Sequence, residues 1–240
     1  MKVHKAIFNW SGGKDSALAL YKVLQAQNYH IACLLTSVSA EYQRISMHGI
    51  RRKLLNAQAE AIGIPLEIIE IPESAGMETY DRLMGKKLKE LQKANYTHSI
   101  FGDIYLEDLR KYREQRLGEI PIKAVFPLWK RDTKELIREF IDLGFKTMVV
   151  AADASKLDKD FVGRVIDKDF LKDLPKGVDP CGENGEFHTF VFDGPIFNKP
   201  VHFEKGETVL KEYAAAKDAA WSSRFWYLDL VEPEATRKVQ

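Results

Sequence analysis

The chain has 240 residues, of which 45% are hydrophobic and 30% are charged, and its formal net charge at pH 7 is +1. This composition is typical of a globular protein with one large domain, or with one domain and a smaller one. The near-zero charge excludes a global attraction to nucleic acid or to an anionic membrane. The sequence shows no apolar run of membrane-spanning length, no signal peptide and only two cysteines, and therefore predicts a cytoplasmic protein without membrane contact.

Apolar runs and amphipathic stretches alternate over the first 151 residues. The runs predict the strands Val3–Trp10, Ile31–Val38, Leu66–Ile71, Ser99–Gly102, Ala124–Pro127 and Thr147–Ala151. The stretches between them predict the helices Asp15–Gln27, Ile50–Ile62, Met77–Asn95, Tyr105–Leu117 and Thr133–Leu143. Asp132 and Glu135 form a capping pair before the last helix, and Gly63 is placed to end the second. The alternation predicts right-handed βαβ units, and hence an α/β fold with a doubly wound parallel sheet.

The pattern changes near residue 153. Asp153–Asp173 is rich in charge with apolar residues at helical spacing, and a Pro/Gly-rich connector follows it. The runs after the connector predict short strands at Phe187–Phe192, Val201–Phe203 and Phe225–Val231, whereas Ala214–Ala220 is too short to assign. We therefore expect a main domain over residues 1–152, a smaller α+β domain over residues 153–231 and a frayed tail over residues 232–240.

The first strand leads directly into a glycine pair that opens a helix, an order that builds an anion site. The six residues are Ser11, Gly12, Gly13, Lys14, Asp15 and Ser16. Glycine lets backbone N–H groups approach a phosphate, and the first helical turn supplies further N–H donors and a partial positive charge. The alternative is an ordinary strand-to-helix turn capped by Ser16. It does not explain Lys14, since a cation is disfavoured at a helix N-terminus.

A second informative stretch, residues 179–190, places two glycines, carboxylates, an imidazole and a thiol within a few residues. Glu186 and His188 are two residues apart, so in a strand they share a face. A carboxylate beside an imidazole raises its pKa, which suits a general base or a donor to an anion. The alternative, slightly favoured on spacing alone, is a hairpin loop with solvated acids and a structural histidine.

These motifs carry a resemblance to a known family. Ser11–Ser16 resembles the pyrophosphatase loop of the N-type ATP pyrophosphatases, and residues 182–197 resemble the C-terminal signature of their diphthine–ammonia ligase branch. Two more stretches match that branch. One is Met47-His48-Gly49 with Arg51, Leu54, Leu55 and residues 58–66, and the other is Gly102-Asp103-Ile104 with Arg113-Glu114 and Pro127-Leu128-Trp129. In the eukaryotic members, this part of the signature resembles Glu-Tyr-Glu-Thr, whereas this chain has Glu186-Phe187-His188-Thr189. We therefore expect its acceptor pocket to differ from theirs at these residues.

The resemblance implies an ATP-dependent, amide-forming ligase that uses ATP and Mg²⁺. Such an enzyme adenylates a carboxylate, releases pyrophosphate, and lets ammonia displace AMP; the named acceptor is diphthine on elongation factor 2, and a small metabolite is the alternative. Lys14 and the loop amides would bind the phosphates. Asp15 would help to hold Mg²⁺, and Asp103 would contact a metal or the ribose.

The remaining implied roles concern the acceptor. His48 and Arg51 would contact it, Arg113 would bind a substrate anion, and Glu183, Glu186 and His188 would act on ammonia or on the acceptor. A solvated helix face is the alternative for Arg113, since Arg110 and Arg116 share its side of the helix.

Two other functions stay open at this point. One is tRNA modification through the same activation of a base oxygen, against which the net charge of +1 argues. The other is a nucleotide-binding module with little catalysis, which would not need Lys14, Asp15 and a separate acid/histidine loop. The oligomeric state is open, with a homodimer among the alternatives.

Overall fold

The computed structural model describes residues 3–45, 48–213 and 223–234. The strands are β1 (His4–Asn9), β2 (Tyr29–Ser39), β3 (Leu66–Ile71), β4 (His98–Ile100), β5 (Lys123–Val125), β6 (Lys146–Asp153), β7 (Phe187–Asp193), β8 (Glu204–Tyr213) and β9 (Ser223–Val231). The helices are α1 (Lys14–Ala26), α2 (Arg52–Ile62), α3 (Met77–Lys93), α4 (Glu107–Gly118), α5 (Thr133–Asp142) and α6 (Lys168–Asp173), with a 3₁₀ turn at Lys159–Phe161. No helix in these ranges is long and apolar enough to cross a membrane.

The first five strands form one parallel sheet in the order β3-β2-β1-β4-β5. Alternate residues of β1 face opposite sides of the sheet. Phe8 packs in one hydrophobic cluster with Leu18 of α1 and Leu54 of α2. Ile7 packs in the other cluster, with Leu88 of α3 and Leu117 of α4. Helices therefore cover both faces, and the predicted doubly wound α/β fold is confirmed.

The other four strands form an antiparallel sheet in the order β7-β6-β9-β8, which confirms a second α+β unit. The prediction that Thr147–Ala151 is a sixth parallel strand is wrong, because β6 pairs with β7 and β9. Six consecutive residues of β6 are buried, and a fully buried strand has the same apolar pattern in either type of sheet. The sheets change between Val125 and Lys146, ahead of the boundary predicted at residue 152.

The helical spacing in the charged stretch Asp153–Asp173 corresponds to a 3₁₀ turn and the six-residue α6. One more strand prediction in this unit needs correction. Val201–Phe203 is not a strand; the strand there, β8, begins at Glu204. β8 lies at the sheet edge and is mostly polar and exposed, so it carries no apolar alternation to detect. The stretch 214–220 and the end of the predicted tail, 235–240, lie outside the described residues.

The loop between β1 and α1 is fastened to both α2 and β7. The amide of Gln58, which is fully buried, donates to the carbonyls of Gly12 (3.0 Å) and Val191 (2.6 Å), and its oxygen accepts from the indole N–H of Trp10 (2.9 Å). The N–H of Val191 donates to the Gly12 carbonyl at 2.9 Å. The N–H of Lys14 donates to the Thr189 hydroxyl at 3.0 Å. One buried side chain thus joins the two sheets at the start of α1.

We expect Gln58→Met to lower the free energy of unfolding by about 3 kcal/mol, because the volume is retained while three buried polar groups each lose one hydrogen bond. Urea denaturation would measure the loss. Gln25→Met is the matched control, since Gln25 is exposed on α1, and we expect it to change stability by less than about 0.5 kcal/mol. Equal losses in the two variants would show that the Gln58 hydrogen bonds do not fasten the loop.

Candidate active site

A cavity of about 720 Å³ lies where β1, β2 and β4 end, as expected for a ligand site in a doubly wound sheet. It is lined by most of the residues that the sequence predicts for the site. These are Ser11, Gly13, Lys14, Asp15, Ser16, His48, Asp103, Arg113, Glu183 and His188. The loop after residue 180 thus reaches over the sheet end to the residues before α1. Gly12, Arg51 and Glu186 do not line the cavity.

The residues before α1 hold the start of the helix open toward the cavity. Gly13 occupies the N-cap position of α1 and supplies no side-chain cap. The Ser16 hydroxyl donates to the Gly13 carbonyl at 2.9 Å and accepts from the Ser11 hydroxyl at 3.0 Å, so Ser16 does not act as the helix cap. An uncapped N-terminus that faces a cavity is suited to an anionic group.

Close packing requires both glycines of the loop, and a left-handed backbone conformation also favours glycine at position 12. Gly12 has a φ of +77°, and a Cβ there would lie 3.0 Å from the Gln58 Oε1. A Cβ on Gly13 would lie 3.1 Å from the Thr189 carbonyl oxygen. The end of β4 is equally close, since a Cβ on Gly102 would lie 3.0 Å from the backbone of Asp15. The loop is therefore enclosed by α2, β7 and β4 on every side except the cavity.

Lys14 is the buried cation of the site, with only 3% of its surface exposed. Its Nζ lies 2.7 Å from Asp15 Oδ2 and also donates to the carbonyl of Cys181. Burial is the largest single effect and works to lower the pKa of Lys14, but Asp15 and the neighbouring acidic groups, Glu183 among them, together raise the pKa, so the ammonium stays charged. Burial raises the pKa of Asp15, while Lys14 opposes that shift.

Glu183 is the carboxylate best placed to exchange a proton near neutral pH. Its Oε1 accepts hydrogen bonds from the N–H groups of Ile104 (2.9 Å) and Tyr105 (3.4 Å). Burial and the nearby charge of Asp15 raise the pKa of Glu183 to about 7, against the effect of those N–H groups. A general acid or base works best when its pKa is near the working pH.

His48 and His188 form a pair of rings whose centroids are 4.5 Å apart at the cavity wall. Burial and the charge of Lys14 lower the pKa of His188 to about 4, and burial also lowers that of His48. Both imidazoles are neutral at pH 7. The expectation that a carboxylate raises the pKa of His188 is wrong, because Glu186 lies outside β7 and turns away from the ring.

Glu186 and Arg51 have partners that keep them out of the cavity. The Glu186 carboxylate, 4% exposed, accepts from the backbone N–H groups of Asp179 (3.1 Å) and Asn184 (3.0 Å), so it shapes the loop. Arg51 binds Asp229 of β9 through two hydrogen bonds of 3.0 and 2.6 Å. Neither geometry favours the role predicted from the sequence: Glu186 does not line the cavity, and Arg51 joins the start of α2 to the second sheet.

Asp103 and Arg113 are paired on the far wall of the cavity. Arg113 Nε lies 2.7 Å from Asp103 Oδ2, and the guanidinium lies 4.4 Å from the centre of the Phe101 ring. Burial raises the pKa of Asp103, and Arg113 opposes that shift. Arg113 thus lines the cavity rather than a solvated helix face, but its charge is already balanced.

The structure also identifies residues whose importance the sequence analysis missed. Gln58 and Thr189 lie inside the recognised motifs, yet nothing in the sequence shows that their side chains hold the loop. Asp229 lies in the last forty residues, which match no motif, and it binds Arg44 (2.7 Å) as well as Arg51. Within the described ranges, no three carboxylate, histidine or cysteine side chains come together as a metal site.

Two family models match the sequence: the diphthamide synthase N-terminal domain over residues 4–124 and the diphthamide synthase C-terminal domain over residues 132–220. The chain belongs to the diphthamide synthase family. Curated relatives named diphthine–ammonia ligase include those of Homo sapiens, Rattus norvegicus and Bos taurus. The human and rat proteins are each 26% identical to this chain, and each alignment covers 88% of this chain and 87% of the relative. The bovine protein is 27% identical, and its alignment covers 83% of this chain and 82% of the relative.

A solved structure, the U34-tRNA thiolase NcsA of Methanococcus maripaludis with its [4Fe-4S] cluster, is also similar in part. It is 16% identical, with a TM-score of 0.39 over 60% of this chain and 59% of that one. A likeness of this size does not identify a shared activity.

The raised pKa of Glu183 predicts a pH-dependent stability difference between the wild type and Glu183→Gln. Below pH 4.5 the carboxyl is protonated in both the folded and the unfolded chain, so it adds no difference. As the pH rises to about 7, the unfolded chain releases the proton while the folded chain retains it, and the wild type loses stability. We expect the variant to gain about 3 kcal/mol relative to the wild type between pH 4.5 and 7.5, measured by urea denaturation. A constant difference across this range would contradict the raised pKa.

Proposed function

We propose that this protein is an ATP-dependent ligase that adenylates a carboxylate and joins it to ammonia, releasing AMP and pyrophosphate. The observation that carries the proposal is the buried ammonium of Lys14 at the uncapped start of α1, facing a cavity at the sheet end. Membership of the diphthamide synthase family and the ligase names of the relatives support it. ATP, ammonia and a carboxylate acceptor are the proposed partners, and the cytoplasm the proposed location.

The triphosphate would lie against the start of α1. Lys14 would neutralise the pyrophosphate that leaves, and first-turn N–H groups other than that of Lys14 would hold its oxygens. The Ser11 hydroxyl would join them by turning from Ser16 toward the phosphate. Catalysis of this kind is mostly positioning and charge stabilisation. The enclosed loop supplies the required rigidity, because Gln58 and Thr189 fix its backbone.

The residues at this end of the cavity fit a magnesium ion bound with the nucleotide. Burial and the nearby charge of Asp179 raise the pKa of Asp15, so a cation beside Asp15 would offset the cost of burying its carboxylate. Asp15 is the residue that would hold Mg²⁺, and phosphate oxygens would complete its coordination. The ion would offset the negative charge of the triphosphate. Asp103 would contact either this metal ion or the ribose of the nucleotide.

Adenylation is needed because a carboxylate cannot expel oxide. An acceptor carboxylate oxygen bonds to the α-phosphorus, and the bond from that phosphorus to pyrophosphate breaks. Ammonia then bonds to the acyl carbon, and the bond to AMP breaks. Glu183, with a pKa of about 7, accepts the proton that the nitrogen loses. The neutral N–H groups of His48 and His188 contact the acceptor.

The acceptor is diphthine on elongation factor 2 or a small carboxylic acid. This chain has His188 where the eukaryotic signature has a glutamate, so its acceptor contacts differ at that position. Glu186 would contribute only by shaping the loop that carries Glu183, and Arg51 by fastening α2 to β9. Modification of tRNA is not favoured, since the curated relatives are ligases and the net charge is only +1.

The first test is Lys14→Ala, which removes the charge at the start of α1. We expect calorimetry to show at least about a tenfold loss of ATP affinity. Lys22→Ala is the matched control: Lys22 lies on the same helix, pairs with Glu139 and is outside the cavity. Chromatography of the nucleotides formed by the wild type should show AMP, and ADP as the main product would reject the proposal.

The second test is Glu183→Gln. We expect amide formation to fall about 100-fold, the usual scale for a lost general base, with ATP affinity changed less than about threefold. Glu207→Gln, at an exposed position on β8, is the control and should leave both values unchanged. A Glu183 variant with full amide-forming activity would remove this residue from the proton transfer.

A further inference from the structure

The cavity continues past Asp103 and Arg113 into the space between α3 and α4. We call this part the α3–α4 arm, and its lining residues are Met84, Gly85, Leu88, Leu109, Tyr112 and Leu117. Asp81, Met84, Gly85 and Leu88 are spaced as neighbours on one face of α3, so that helix presents a continuous surface to the arm. None of these residues has a part in the phosphate chemistry proposed above.

The charged side chains at the arm are bound to one another. Asp81 accepts from the Tyr112 hydroxyl and pairs with Arg116. Arg113 pairs with Asp103 at 2.7 Å. Because these charges are balanced within the protein, the surface left for a ligand is mainly apolar. The half-buried Met84 and Leu109 face the arm, and the buried core residues Leu88 and Leu117 back it. A nucleoside needs hydrogen-bonding groups for its base and ribose, whereas an apolar chain or ring needs only apolar area.

Gly85 is an independent sign that the arm is kept wide. It lies in the interior of α3, where glycine costs about 1 kcal/mol relative to alanine. Neither packing nor conformation requires it, since a Cβ at this position would meet no atom within 4 Å and its φ is not positive. Its missing side chain leaves space in the arm.

We propose that the α3–α4 arm holds the apolar body of the acceptor, so that the acceptor is a small carboxylic acid with an apolar chain or ring. Its carboxylate would lie at the Lys14 end of the same continuous cavity, next to the nucleotide. The proposal rests on the proposed function and deepens it by naming the class of acceptor.

The test is the binding of butyrate, hexanoate and octanoate to the protein saturated with α,β-methylene ATP, measured by calorimetry. We expect the affinity of the wild type to rise about fourfold for each added methylene until the arm is full. Gly85→Leu should fill the arm, weakening octanoate binding at least about tenfold while butyrate and nucleotide affinities stay within about twofold. Gly118→Leu is the matched control, because Gly118 ends α4, its Cβ would also meet no atom within 4 Å, and it lies outside the cavity.

Three results would overturn the arm proposal: affinity independent of chain length, equal losses in the two leucine variants, or weaker nucleotide binding in Gly85→Leu, which would put the nucleoside in the arm. Failure of the proposed function gives a different result. In that case the acids bind with the expected chain-length dependence, but ATP and ammonium with octanoate yield no AMP and no amide.

Discussion

The hydrogen bonds of Gln58 are the constraint on which the site depends. Its amide binds the carbonyls of Gly12 and Val191, so the loop before α1 is held between α2 of one sheet layer and β7 of the other. The backbone of Lys14 is held to the same strand through Thr189. The start of α1 can therefore reach its geometry only when both sheets are in place. The antiparallel unit is therefore part of the candidate site rather than an appended domain.

The charges of the site are arranged for ligands that bring both signs. Lys14 remains cationic because Asp15 and the neighbouring acidic groups together outweigh the effect of burial. Asp15, Asp103 and Glu183 all have raised pKa values, and the two imidazoles are neutral. Lys14 and Arg113 offset part of the cost of burying Asp15 and Asp103, whereas Glu183 accepts only backbone N–H groups. A nucleotide with its magnesium ion would bring further charges of both signs to this cluster.

Local patterns explain what the sequence could predict. The first five strands, the helices between them and the loop Ser11–Ser16 have signals within a few residues of one another. The predictions that are wrong depend on distant partners or on burial. Because β6 is buried along its length, its apolar pattern does not show which sheet it joins. The edge strand β8 is too polar and exposed to be detected from its pattern. The sequence cannot show that Arg51 binds Asp229, because that partner lies 178 residues away along the chain. Glu186 and His188 would lie on the same face only if both belonged to one strand. Because β7 begins at Phe187, Glu186 lies outside it.

The central claim is that an acceptor carboxylate attacks the α-phosphorus of ATP, and the fate of the carboxylate oxygens tests it most directly. The protein would be incubated with ATP, ammonium and octanoate whose carboxylate carries ¹⁸O, and the AMP formed would be examined by ³¹P NMR and mass spectrometry. Because AMP departs with the oxygen that linked it to the acyl group, the account predicts one ¹⁸O in each AMP. AMP formed together with amide but without ¹⁸O would contradict adenylation of the acceptor.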